Sequence, residues 1–197
     1  MSEQAESTKY IQIKNTARKL FWKHGILRVS VEEICREAGA RKMTFYRMFD
    51  NKIEVAKTVL NEVMESSLKE FHAIMEQDIP FPEKIRRTIQ LELKGSQDIS
   101  EELLRDIYKN EEPELIAFMA EKRKQGVGEV YQSLAKAQSQ GCLRKDIKLE
   151  FVIYFMNKIN DMVTDEELLA MYHNPQELIM ELTNFFFYGI LPPTDSE

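Results

Sequence analysis

Lys42, Met43, Tyr46 and Arg47 lie within one short stretch and have side chains suited to reading DNA. Turning each residue by about 100° from the last puts Met43 and Arg47 on one side of a helix, flanked by Lys42, Thr44 and Tyr46. Phe45 and Phe49 fall on the opposite side, with Met48 at its edge. A face of Lys, Met, Tyr and Arg makes poor core but suits the major groove. Guanidinium and ammonium groups donate to guanine O6 and N7, and a methionine meets a thymine methyl. This is the expected recognition helix of a helix-turn-helix.

Such a helix needs a partner that sets its angle, and the preceding residues supply one. Ser30 with Glu33 three positions on is a helix-start pairing, in which side-chain oxygens satisfy orphan amides. Val31, Ile34, Cys35 and Ala38 then fall on one face, and Gly39 permits the sharp exit. After the recognition helix, Asn51 with Glu54 opens another helix. Lys52 stands in its first turn, where a cation opposes the helix dipole, so a DNA phosphate is the expected complement.

With these residues in view, the chain resembles the tetracycline-repressor (TetR) family of bacterial transcription regulators. The matching residues are Ala17, Leu20, Phe21, Gly25, Ser30, Val31, Ile34, Ala38, Gly39, Thr44, Phe45, Tyr46, Phe49 and Lys52, spread over about the first third of the chain. Two positions depart from the family pattern: Arg41 stands where Ser or Thr is usual, and Met43 where Gly is frequent. Both are places from which relatives touch bases, so the departures bear on the operator sequence and not on the fold. The resemblance implies DNA contacts from Ser30, Arg41, Lys42, Met43, Thr44, Tyr46, Arg47 and Lys52.

Charge supports the same reading independently. The net charge of −6 is unevenly spread. Residues 1–60 carry 12 Lys and Arg against 7 Asp and Glu, a net of +5, and the remainder carries 15 against 26, a net of −11. Phosphate attraction supplies much of the affinity of any DNA-binding protein, so the positive segment falls where it is needed. The acidic remainder is compatible with a cationic ligand, although exposed carboxylates account for the same charge.

The 197 residues, 43% of them hydrophobic with only seven Gly and six Pro, predict an all-α protein with a sizeable core. The expected architecture is a three-helix DNA-binding domain over residues 7–55, a linking helix over about 52–77, and a helical ligand-binding and dimerisation domain over 78–197. The linking helix, with Ile53, Ala56, Leu60, Val63, Phe71 and Ile74 inward, would be a rod of about 40 Å. Pro80 and Pro82 end that rod. Helices are then expected over about 82–94, 100–109 and 113–140, with Gly141 closing the last. Two more are expected over 148–163 and 174–188, with an extra helical turn between them.

Those last two helices carry more apolar surface than one protomer needs. Phe151, Phe155, Ile159, Met162, Leu178, Leu182, Phe185 and Phe186 are candidates for a two-fold interface, which the resemblance implies as a four-helix bundle. A dimer would set two heads about 34–36 Å apart, one turn of DNA. The resemblance also implies a small-molecule pocket in the body. Phe118, Tyr131, Tyr154, Asn157 and Asp161 are candidate lining, being polar or aromatic groups on apolar helices.

Other chemistry finds little support. His24, His72 and His173 show no metal spacing beyond a His72/Glu76 pair, and there is no glycine-rich phosphate loop, nucleophile elbow or Cys-x-x-Cys. No metal, cofactor or catalytic activity is expected. Cys35 and Cys142 are expected as reduced thiols, and with no signal-peptide core or spanning segment the chain is expected in the cytoplasm. The reading is a ligand-responsive regulator, a repressor, binding a palindromic operator as a homodimer. The alternative is a DNA-binding factor without inducer whose body recruits a protein partner.

Overall fold

The computed structural model describes residues 3–109 and 112–192, and every regular element among them is a helix. In chain order these are α1 (Glu3–His24), α2 (Val31–Glu37), α3 (Lys42–Tyr46), α4 (Lys52–Met75), α5 (Phe81–Gly95), α6 (Glu101–Tyr108), α7 (Pro113–Ser139), α8 (Leu149–Met162), α9 (Glu166–Leu169) and α10 (Pro175–Ile190). Their starts follow local chemistry. The side chains of Ser30, Ser100, Asp165 and Asn174 each accept a hydrogen bond from an amide in the first turn that follows. Pro113 and Pro175 begin α7 and α10, where the missing N–H costs nothing.

The chain forms two compact units. The first comprises residues 1–65 and 98–119, and the second residues 66–97 and 120–197. Both α4 and α7 run without interruption from residues of the first unit into residues of the second. Residues 98–119, which sequence order alone puts in the C-terminal domain, fold with the N-terminal helices.

The first unit is built round Ile13, Ala17 and Phe21 of α1, Ile34 and Cys35 of α2, Phe45 and Phe49 at α3, and Val55, Ala56 and Val59 of α4. Leu103 of α6 and Leu115 of α7 complete this core and are fully buried. Burying Phe45 removes a whole aromatic ring from water, a gain of about 1.5–3 kcal/mol. Val55 and Val59 are buried although they lie off the expected inward row of α4, because neighbours cover that helix on more than one side.

In the second unit, Leu134 and Ala137 of α7, Leu143, Val152 of α8, and Phe186 and Ile190 of α10 form a core. Helix α5 packs against α10, and the Gln176 amide donates to Leu93 O at 2.7 Å. The extra helical turn anticipated between the last two long helices is α9. Cys35 is buried and Cys142 half-buried, both as free thiols. No helix among the described residues is long and apolar enough to cross a membrane.

Candidate nucleic-acid interface

Helix α3 is short, and its two sides have opposite roles. Phe45 and Phe49 are buried, with ring centroids 5.7 Å apart, and Tyr10 of α1 stacks on Phe49 at 4.9 Å. This aromatic anchor fixes the rotation of α3 and so decides what faces out. Met43 is 84% exposed and Tyr46 54%. Arg41, Lys42 and Arg47 are exposed beside them, and Thr44 is half-buried. An exposed methionine gains nothing from water, so its position on this face suits an apolar partner such as a thymine methyl.

Helix α2 prepares the site in two ways. Ser30 Oγ accepts from Glu33 N at 3.2 Å, which caps the helix. Glu32 pairs with Lys42 across the turn. Hydrogen bonding to Lys42 lowers the Glu32 pKa, and the same bond raises that of Lys42. Sequence reasoning missed Glu32, because an α2-to-α3 contact depends on the angle of the turn and leaves no periodic signal. That angle is set at Gly39, whose φ of +57° is costly for residues with a Cβ.

Lys52 points away from simple exposure. Its ammonium donates to Leu27 O and to Val29 O, the latter at 2.9 Å, and its pKa is lowered by burial. Lys has three donors, and these two carbonyls take two of them. The same loop is held from a second side, where Leu27 N donates to Asp106 Oδ2 at 2.9 Å, and the end of α1 before it is tied by Ser100 N donating to Trp22 O at 3.0 Å. Gly25, at φ +79°, lies so close to Asp106 that an added Cβ would stand 2.7 Å from its Oδ2. The loop before α2 is thus clamped by α4 and α6, and Asp106 is a contributor that the sequence motif does not contain.

The remaining candidate residues divide between the units. Phe118 packs against the core of the first, while Tyr131, Tyr154, Asn157 and Asp161 belong to the second. Asp161 accepts from Lys158 Nζ at 3.0 Å, and that ammonium lies 5.9 Å from the centre of the Tyr154 ring, so these three form a surface group on α8. Of the candidate interface residues, Leu178, Leu182 and Phe186 are buried in the protomer itself, and Phe155, Ile159 and Met162 are half-buried. Phe151 and Phe185 are 56% and 70% exposed, and Tyr154 and Tyr188 are 61% exposed alongside them. Sequence periodicity separates such inward and outward rows poorly where both are aromatic.

A helical head with a buried aromatic anchor and an outward cationic and apolar face defines a helix-turn-helix DNA-binding protein. Residues 13–59 match the family model described as bacterial regulatory proteins, tetR family. No curated protein matches the chain. Among solved structures it is similar to a TetR/AcrR-family regulator from Thermobifida fusca, at 18% identity over 92% of this chain and 98% of that one, with a TM-score of 0.66. It is also similar to FadR from Bacillus subtilis, solved with stearoyl-CoA, at 17% identity over 92% and 99% with a TM-score of 0.71. A putative regulator from Saccharomonospora viridis, solved with choline, matches at 15% identity over 94% and 99% with a TM-score of 0.72. These likenesses establish the fold over nearly the whole chain.

Proposed function

We propose that this protein is a homodimeric repressor of a palindromic operator, released from DNA by a small molecule bound in its second unit. The observation that carries the reading is the outward face of α3, where Met43, Tyr46 and Arg47 are presented by a buried Phe45–Phe49 anchor. Arg41, Lys42, Thr44 and Arg47 contact bases, while Ser30 and the third proton of Lys52 engage phosphates. The exposed row of Phe151, Tyr154, Phe185 and Tyr188 favours pairing with a second copy, since an apolar patch of this kind seeks burial. Two heads joined by that face span successive major grooves.

Two structures of this fold hold small molecules, and the second unit has room for one. A half-open groove of about 330 Å³ there is lined by His72, Met75, Phe81, Lys84, Ser133 and Lys136, among others. A ligand that favours the non-binding arrangement by a few kcal/mol is enough to empty the operator, with α4 as the element that carries the change. The test is a mobility shift with DNA flanking the protein's own gene. A retarded complex at a symmetric site, lost on competition with that site but not with random DNA, is expected. Equal competition by both would sink the reading.

A further inference from the structure

Three helices of the second unit each turn one side to the groove of about 330 Å³. Met75 ends α4, Phe81 and Lys84 stand one turn apart at the start of α5, and Ser133, Lys136 and Ala137 share a face of α7. The apolar part of the wall is Met75, Phe81 and Ala137. Ala137 is a core residue and Phe81 packs against that core, so this part is continuous with the interior. The polar part is short of partners. Lys84 Nζ donates to Met75 O at 2.6 Å, which holds a half-buried ammonium at the last turn of α4. Among the described residues neither Lys84 nor Lys136 meets a carboxylate, and the Ser133 hydroxyl makes no hydrogen bond. His72 is engaged by Glu129 at 3.3 Å, and Glu76, which is exposed, is the one carboxylate of the lining.

Charge sets this groove apart from the unit around it. Residues 66–97 and 120–197 carry 13 Lys and Arg against 17 Asp and Glu, a net of −4. The lining carries Lys84 and Lys136 against Glu76, a net of +1. An anion seated there replaces water on two ammoniums, and the attraction is stronger beside a half-buried charge than in open solvent. A neutral ligand forgoes that term, and a cation is repelled. One net positive charge matches a monoanion, since a phosphate dianion would leave a charge facing Glu76. We propose that the groove takes a compact organic carboxylate, its head group held by Lys84, Lys136 and the Ser133 hydroxyl and its apolar body against Met75, Phe81 and Ala137. This names the ligand class of the effector proposed above and rests on that reading only for the effect on DNA.

The test is calorimetric titration of the full chain, without DNA, with octanoate and hydrocinnamate beside their alcohols, octanol and hydrocinnamyl alcohol. At least one carboxylate is expected to bind about tenfold or more tightly than its alcohol. Lys136→Gln and Lys84→Gln should each cut that preference severalfold and leave the alcohol unchanged, whereas Lys136→Arg should keep it. Equal binding of carboxylate and alcohol, no binding of either carboxylate, or a preference that survives either glutamine substitution overturns the proposal. Lys136 is exposed, so its variant decides the matter if loss of the Lys84 bond to Met75 O unfolds the chain. A carboxylate that binds through these lysines without altering operator affinity would leave the site standing and remove only its role as a switch.

Discussion

The outer face of α3 and the aromatic row of α8 and α10 are both uncovered in the protomer, but their side chains ask for different partners. Around α3, charged and polar groups surround a single exposed methionine, and Lys42 among them pairs with Glu32. On α8 and α10, Phe151 stacks on Phe155 at 6.3 Å, and Phe155 in turn meets Phe185 at 6.3 Å and the buried Phe186 at 6.5 Å. That second surface is continuous with the core, so it has the chemistry of an interior cut open. The first suits a polyanion that exchanges in salt, the second a permanent apolar partner. Exposure by itself therefore says little until the atoms exposed are named.

The comparison can be broken most sharply at the aromatic row. Replacing Phe151 and Phe185 together by Glu should leave a folded monomer in sedimentation, with operator affinity down about 10²–10⁴-fold because the second head no longer binds intramolecularly. A variant that stays dimeric would mean the row covers something else. Next in size, Arg47→Ala should cost about 1–3 kcal/mol on the cognate site and little on random DNA, whereas Lys52→Ala should weaken both alike. Lys52→Ala should also melt earlier, since Leu27 O and Val29 O lose their donor. Anisotropy titrations with matched DNAs distinguish base reading from backbone contact.

A smaller effect is expected at Glu32. Glu32→Gln removes a negative charge from the DNA-facing side and frees Lys42, so binding to all sequences should tighten a few-fold, with a steeper salt dependence. Unchanged salt dependence would show that Lys42 keeps away from phosphate. The smallest effect concerns the second unit alone, where Glu83 receives Arg86 Nε at 2.7 Å and Arg87 Nε at 2.9 Å. These bonds lower its pKa from 4.5 to about 2. The folded state thus holds this proton more weakly than the unfolded chain. Its contribution is present above pH 4.5 and fades as the pH falls toward 2. Glu83→Gln should flatten that part of an acid melt followed by circular dichroism.

Much of the first unit could be read from spacing. Ser30, Gly39, Phe45 and Phe49 are local signals, since caps, left-handed turns and helical rows depend on residues within a few positions of one another. Residues 98–119 could not be placed that way. Leu103 and Leu115 read as ordinary apolar helix positions, and only three-dimensional packing brings them to the core of the N-terminal helices.

The order of amino acids alone determined an all-helical chain, where most helices start, and which side of α3 carries aromatic anchors. These follow from backbone geometry and short-range hydrogen bonding, which need no distant partner. Tertiary structure alone decided that Lys42 meets Glu32, that Lys52 and Asp106 clamp one loop, and that Leu178, Leu182 and Phe186 turn inward while Phe151 and Phe185 stay outside. Contacts between residues tens of positions apart depend on the angles at which helices cross, and no local pattern encodes those.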